Sequence, residues 1–376
     1  MKILVVSNNY PSTRFPGCGA FVYNLVQEFA KANQVTVIAP EKAHDAFKPK
    51  AAESYGNEVC TVLRPKHLSF SNKKILGFNT VSLTRYFTKK AVSQELSNLE
   101  SKPDVVYCHF LINAVPVLDY VEKNSLPLVI ASGESAYSDW QTQPLATQEK
   151  LKKLASHFVC VSESNKERLI KLGFDAGKMT VVPNAVNTEL FKPLDKLACK
   201  KKLGYSEKDF VVGFVGHFIE RKGPNRVIQA IKQLNNPAIK LVCVGAGSEL
   251  EQNNFTQVIP PVPNSSLPEI FNAFDVFCLP TLHEGHCNAI EEAKACAVPV
   301  ISSLGTSVEL QLTSSEGVLI DPKNISAIAS ALSSLIECEG LYKQLVDGLS
   351  AGKNYSIEQR SQKILNIISQ FVIWEG

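Results

Sequence analysis

The stretch Val276-Phe277-Cys278-Leu279-Pro280-Thr281-Leu282-His283-Glu284-Gly285-His286-Cys287-Asn288-Ala289-Ile290-Glu291-Glu292-Ala293 changes character twice. It opens on an apolar, strand-like run, crosses a loop after Pro280, and ends in residues that suit a helix. A buried strand leading directly into a helix is the unit from which parallel α/β sheets are built. With a helix beginning near Cys287, its first N–H groups lack intrahelical partners and its positive dipole end faces whatever lies above the strand, which makes a ready phosphate site. Glu284 and Glu292, eight positions apart, flank that site. At helical rise they lie on the order of 12 Å apart or less, within reach of hydroxyls at both ends of a diphosphate-linked sugar nucleotide. Carboxylates suit hydroxyls because each oxygen accepts charge-assisted hydrogen bonds. The plainer reading is an acidic helix start in solvent, since acids favour helix N-termini.

Working outward, the same alternation runs through the chain. β-branched runs recur at residues 3–6, 35–38, 105–108, 128–131, 158–161 and 180–182, with helical segments at 20–31 and 81–99 among them. A second series at 211–215, 240–244, 276–279 and 298–302 repeats the plan after a break. The polar, Lys-rich residues 187–209 read as a linker. The expected fold is therefore α/β, with two Rossmann-like domains and a cleft between them. Residues 1–187 form the first, residues 188–355 the second, and a last helix falls within 356–376. Ligands of such sheets bind beyond the carboxyl ends of the strands.

Composition sets independent bounds. The chain has 376 residues, 45% hydrophobic and 20% charged, enough for two globular domains. No stretch approaches the run of about 20 apolar residues that spans a bilayer, and Met1-Lys2-Ile3-Leu4-Val5-Val6 enters a strand at once, without a signal peptide. The expected location is the cytoplasm. The ten cysteines occur without a C-x-x-C pair, and Cys108, Cys160, Cys243 and Cys278 fall inside apolar runs, so they read as reduced and structural. The net charge of +3 hides an asymmetry: residues 1–187 carry 22 Lys+Arg against 16 Asp+Glu, leaving 17 against 20 for residues 188–376. Residues 59–94 hold no acid but include Arg64, Lys66, Lys73, Lys74, Arg85, Lys89 and Lys90, with Phe70, Phe78, Tyr86 and Phe87 between them. That mixture suits an anionic membrane surface or a lipid-diphosphate acceptor, and equally a solvated basic face over core aromatics. No nucleic-acid partner is expected.

The Glu284 to Glu292 stretch resembles the E-x7-E signature of the retaining family 4 glycosyltransferases (glycosyl transferases group 1) of the GT-B fold. The match runs from Pro280 through Glu284-Gly285 and Glu292-Ala293 to Val298-Pro299-Val300-Ile301. Other segments fit in the family's order: 182–187, Phe214-Val215-Gly216 with Lys222-Gly223, Val244-Gly245-Ala246-Gly247, Ala273-Phe274-Asp275-Val276 and 317–322. The resemblance covers nearly the whole chain. It implies an acceptor domain followed by a donor domain, with the last helix crossing back to the first. The implied reaction is hexose transfer, with retention, from a nucleotide-diphosphate sugar, most simply a UDP-sugar, to a glycan or lipid-linked acceptor. The setting implied is cell-surface polysaccharide biosynthesis, at the inner face of the cell membrane. A GT-B sugar-nucleotide 2-epimerase and a catalytically silent binding subunit are the alternatives.

The resemblance places Gly17 and Gly19 near the donor phosphate, although a structural turn between Pro16 and Ala20 reads as well from residues alone. Lys222 is the expected clamp for the leaving diphosphate, whose departure needs cations or dipoles. His217 stands where the family has Arg, and Arg221 supplies a guanidinium nearby. Gly245 carries the same ambiguity as the first glycine turn. Val262, in the loop Ile259-Pro260-Pro261-Val262-Pro263, is the expected nucleobase contact, by its backbone. Gly285, His286, Cys287, Asn288 and Ala289 line the donor pocket with Glu284 and Glu292, His286 mainly through its backbone. His109 follows a strand as site or scaffold, and Glu134 is expected to orient the acceptor or act on its proton. No D-x-D occurs in the chain, so no metal or other cofactor is expected, with helix dipole and Lys222 in the metal's place.

Overall fold

A computed structural model describes residues 1–15, 18–47, 59–70, 74–75, 78–134, 136–352 and 354–372. The chain separates into two units, Met1–Pro183 with Ile357–Gly376, and Asn184–Ser356.

The first unit is built on seven strands: β1 (Lys2–Val6), β2 (Gln34–Ile38), β3 (Thr61–Leu63), β4 (Val105–His109), β5 (Leu128–Ser132), β6 (His157–Cys160) and β7 (Met179–Val181). They pair in the order β7-β6-β5-β4-β1-β2-β3, every neighbour parallel. The central strands are buried along their whole length, as expected of a sheet covered on both faces. Helix α1 (Ala20–Ala30) buries Val22, Leu25, Val26 and Phe29, one stripe at helical spacing. Helix α2 (Val81–Ser97) buries only Val92 and Leu96. The terminal helix Ile357–Ser369 packs against α1 with Ile357, Arg360, Ser361, Ile364, Ile367 and Ile368 inward.

The second unit has six strands: β8 (Phe210–Val215), β9 (Ile239–Val244), β10 (Thr256–Ile259), β11 (Val276–Leu279), β12 (Val300–Ser303) and β13 (Gly317–Ile320). Their order is β10-β9-β8-β11-β12-β13, again all parallel. Helices α3 (Pro224–Leu234) and α4 (Asn288–Ala295) follow β8 and β11. Because all strands of a sheet point one way, the loops after β8, β9, β11 and β12 gather along one edge.

The sequence reading places ten of these strands within a residue or two. It passes over three edge strands, β3, β10 and β13, each only partly buried. Residues 187–209 are not a linker. The units part at Pro183, and this stretch folds into the second one, with Phe191 in its core and a helix, Lys196–Lys202, that buries Lys200. The Lys200 ammonium lies 2.6 Å from the buried Asp275 carboxylate, which also accepts the Val211 N–H at 2.7 Å. Lys content signalled solvent, but here the charge is paired inside. Asp275→Ala removes the counter-ion of a buried ammonium, which keeps only the Asp209 carbonyl at 2.8 Å, and the acceptor of a strand N–H, so it should destabilise the chain by about 3–5 kcal/mol. Chemical denaturation checks this, and a loss below about 1 kcal/mol contradicts it.

Candidate functional site

Beyond the carboxyl ends of β8 and β11 two loops are stitched together. The β11 loop runs from Pro280 to Cys287, and α4 starts at Asn288 from an extended Cys287 that makes no side-chain cap hydrogen bond. The first-turn N–H groups of α4 thus have no capping oxygen from the N-cap side chain. The β8 loop ends on Gly223, at φ +77°, with Pro224 opening α3. Across the two loops, Leu282 N–H donates to Arg221 C=O at 2.8 Å and Arg226 donates to Pro280 C=O at 2.8 Å.

Glu284 is the centre of this arrangement. The residue is 8% exposed, and its carboxylate lies 2.9 Å from the Arg221 guanidinium and 3.3 Å from the Lys222 ammonium. Arg221 also donates to the His283 carbonyl. A buried carboxylate requires such partners. Glu292 is different: Asn264 donates to it at 3.2 Å, and burial pushes its carboxyl up to about 7 against the pull of that bond and of Lys222. The structure thus brings Arg221, Lys222 and Glu284 into contact, with Glu292 inside the field of Lys222.

Most of the other residues expected at the donor site lie in the same unit. Asn288 accepts from Asn184 at 2.9 Å. Gly285 is buried and Ala289 half-buried. Val262 is half-buried, its side chain packed on the core. His217 is exposed in the β8 loop. Gly245 has a packing reason to be glycine: at φ +146°, a Cβ would stand 2.0 Å from the Gly216 carbonyl oxygen. The Cys287 N–H is taken by the Gln311 side chain at 2.8 Å, and its thiol is raised to about 11 by burial. His286 sets its ring against Gln311, at 3.3 Å, and Glu291, at 3.7 Å. Asn184, Asn264, Ser307 and Gln311 escaped the residue-level reading, because each acts on the site from a distant position. Among the described residues no group of three His, Cys, Asp or Glu side chains is placed to hold a metal ion.

In the first unit, Gly17 lies outside the described residues. Gly19 adopts φ +70° where a Cβ would meet the Asn9 carbonyl oxygen at 2.0 Å. His109 ends β4, 1% exposed, its ring 5.0 Å from that of Phe21 and 4.8 Å from that of Phe110. Burial, with Arg360 adding to it, pushes its imidazole down to about 3, so it is neutral. Phe110 is held at φ 76°, a strained conformation for a bulky residue. Glu134 accepts from Leu111 N–H at 2.6 Å, Ser132 Oγ at 2.8 Å and Gly133 N–H at 3.0 Å, while burial raises its carboxyl. These bonds tie the β4 and β5 loops together.

A cavity of about 930 Å³ opens in the same unit, lined by residues that include Asn8, Tyr10, Arg64, His67, Arg85 and Lys89. Of the described cations in the basic stretch, Arg64 and Arg85 are half-buried, whereas Lys66, Lys89 and Lys90 are exposed. Arg64 pairs with Glu41 at 3.3 Å, Lys89 with Asp119 at 2.7 Å, and Arg85 donates to Thr142 Oγ1 at 2.6 Å. Lys73 lies outside the described residues. Leu68, Leu83 and Tyr86 are exposed, as is Lys90.

The raised Glu292 carboxyl has a pH signature. The native state keeps its proton up to about pH 7, whereas the unfolded chain releases it in the ordinary carboxylate range. The native state therefore binds more protons between those values, and stability falls as pH rises through them. The melting temperature of the wild type should decline from pH 5 to pH 8 more steeply than that of Glu292→Gln. Parallel profiles contradict the assignment.

Comparison with known proteins joins these observations. Residues 195–348 match the family described as Glycosyl transferases group 1, and residues 16–190 match Glycosyltransferase Family 4. The chain is 26% identical to a Bacillus subtilis protein named as a teichuronic acid biosynthesis glycosyltransferase, TuaC, over 94% of this chain and 96% of that one. It is 25% identical to the D-inositol 3-phosphate glycosyltransferase of Stackebrandtia nassauensis, over 66% of this chain and 64% of that one. Its fold is similar to that of Anabaena Alr3699/HepE, solved with UDP and glucose, at a TM-score of 0.76 and 18% identity, covering 98% of this chain and 99% of that one. WaaG, a glycosyltransferase involved in lipopolysaccharide biosynthesis, is similar at 0.73 and 14%, with 98% and 99% covered. With two parallel-sheet units in the GT-B fold and family matches over most of its length, the chain belongs to the group 1, family 4 glycosyltransferases.

Proposed function

We propose that this glycosyltransferase moves a hexose from a UDP-sugar to a hydroxyl of a glycan or lipid-linked acceptor, with retention and without a metal ion, in cell-surface polysaccharide synthesis. The observation that carries the reading is the Arg221–Lys222–Glu284 cluster beside the uncapped start of α4. The helix N-terminus and Lys222 offer positive charge to a diphosphate, as a divalent ion does elsewhere. Glu284 binds sugar hydroxyls, and Glu292 takes the ribose diol. The Val262 peptide meets the base. The UDP and glucose named with the Anabaena structure and the teichuronic acid named with TuaC support the donor and the pathway class.

In this mechanism the bond from the anomeric carbon to the phosphate oxygen breaks while the acceptor oxygen attacks from the same face. The acceptor's proton passes to the departing phosphate, so no protein base is needed at that step. His109, neutral and buried, offers a hydrogen bond without a charge. Glu134 orients the acceptor by holding the β4 and β5 loops. The cavity of the first unit receives the acceptor, within the 300–1,000 Å³ usual for such sites.

Acceptor-dependent UDP release tests the reading. Glu284→Gln and Lys222→Ala should each lower turnover about 100-fold or more while the protein stays folded, EDTA should leave the rate nearly intact, and the product anomer should match the donor's. Wild-type rates in either variant, strict manganese dependence, or interconversion of donor epimers without an acceptor would count against it.

We also propose a peripheral position at the cytoplasmic membrane face, supported by residues 59–94, where exposed Leu68, Leu83 and Tyr86 accompany the cations. Each Lys or Arg near an anionic bilayer contributes about 1 kcal/mol. Replacing Lys73, Lys74, Lys89 and Lys90 by Ser should therefore abolish most co-sedimentation with anionic liposomes. Undiminished sedimentation of that variant, or none by the wild type, refutes the membrane role.

A further inference from the structure

The 3-10 turn Ser307–Gln311, which follows β12, grips the loop ahead of α4 at both ends. Ser307 Oγ donates to the Glu284 carbonyl. Gln311, 8% exposed, holds the Cys287 residue by both of its peptide groups. Gln311 Oε1 accepts the Cys287 N–H at 2.8 Å, and Gln311 Nε2 donates to the Cys287 carbonyl at 3.1 Å. A neighbouring strand would bind a residue in the same way. Gln311 Nε2 also donates to the Glu291 carboxylate at 2.8 Å. The amide orientation is fixed chemically. Turned over, its oxygen would face a carbonyl and a carboxylate, and its NH2 group would face an N–H.

Cys287 is the N-cap of α4, so its backbone angles set where the first-turn N–H groups point. Its own side chain makes no cap hydrogen bond, and no apolar residue at position 311 can replace both bonds. We infer that Gln311 is a positioning residue for the donor diphosphate: it locks the Cys287 peptide so that the start of α4 is aimed before the ligand arrives. This rests on the donor site proposed above. It also predicts a division of labour, in which Gln311 affects phosphate binding and leaves the nucleoside alone.

The test compares UDP with uridine by calorimetry on the full chain. Gln311→Leu should weaken UDP at least tenfold and leave uridine within about twofold, since the change is confined to the phosphate end. Gln311→Glu supplies the sharper readout, and it serves if the Leu variant does not fold. Protonated, the introduced carboxyl donates to Cys287 as the amide does; ionised, it offers no hydrogen and repels Glu291. Relative to wild type at each pH, its UDP affinity should be near normal at pH 5.5 and fall at least tenfold by pH 8. Equal losses for UDP and uridine, wild-type UDP affinity in Gln311→Leu, or a pH profile of Gln311→Glu parallel to the wild type overturns the inference. Absence of UDP binding by the wild type, or UDP binding untouched by Glu292→Ala, overturns the donor site itself.

Discussion

One buried carboxylate, that of Glu284, is shared by two cations from the loop of the adjacent strand. Parallel pairing of β8 with β11, Val212 opposite Val276 and Gly213 opposite Phe277, brings the two loop starts side by side. The ion contacts then hold the loop ends together: Arg221 at 2.9 Å and Lys222 at 3.3 Å. An acid this deep is tolerated only with such partners, and the cations are in turn held in place by it. The same contact that closes the second unit's loop edge also fixes its charge.

The loop carrying Glu284 is held independently of any ligand. Ser307 takes its carbonyl, Gln311 takes the Cys287 peptide, and Arg226 takes the Pro280 carbonyl. Groups fixed in advance need no reorganisation when charge appears on a leaving phosphate, which is the physical basis of electrostatic catalysis. In the first unit Glu134 does comparable work between β4 and β5, and the strained Phe110 sits beside the neutral His109.

How much of this was legible in the sequence depends on the range over which each residue acts. The run Val276–Leu279 and the helix start after Cys287 were readable, because strand and helix patterns are local. Lys222 and Glu284 were singled out through a family pattern, although their mutual contact was not readable. Gln311 and Asn264 were not readable at all: they reach partners 24 and 28 positions away, and nothing in their own neighbourhoods marks them. Composition misled where a charge is paired internally, as with Lys200 in the supposed linker. A count of cations records their number and leaves out their partners.

The central claim is that the start of α4, with Lys222, Glu284 and Glu292, is a donor-nucleotide site. A crystal structure of the full chain with UDP tests it most directly. The account predicts the diphosphate within hydrogen-bond reach of Lys222 and of the first-turn N–H groups of α4, with the ribose on Glu292. A nucleotide bound elsewhere, with Lys222 still held by Glu284 and no phosphate at the helix start, would contradict it.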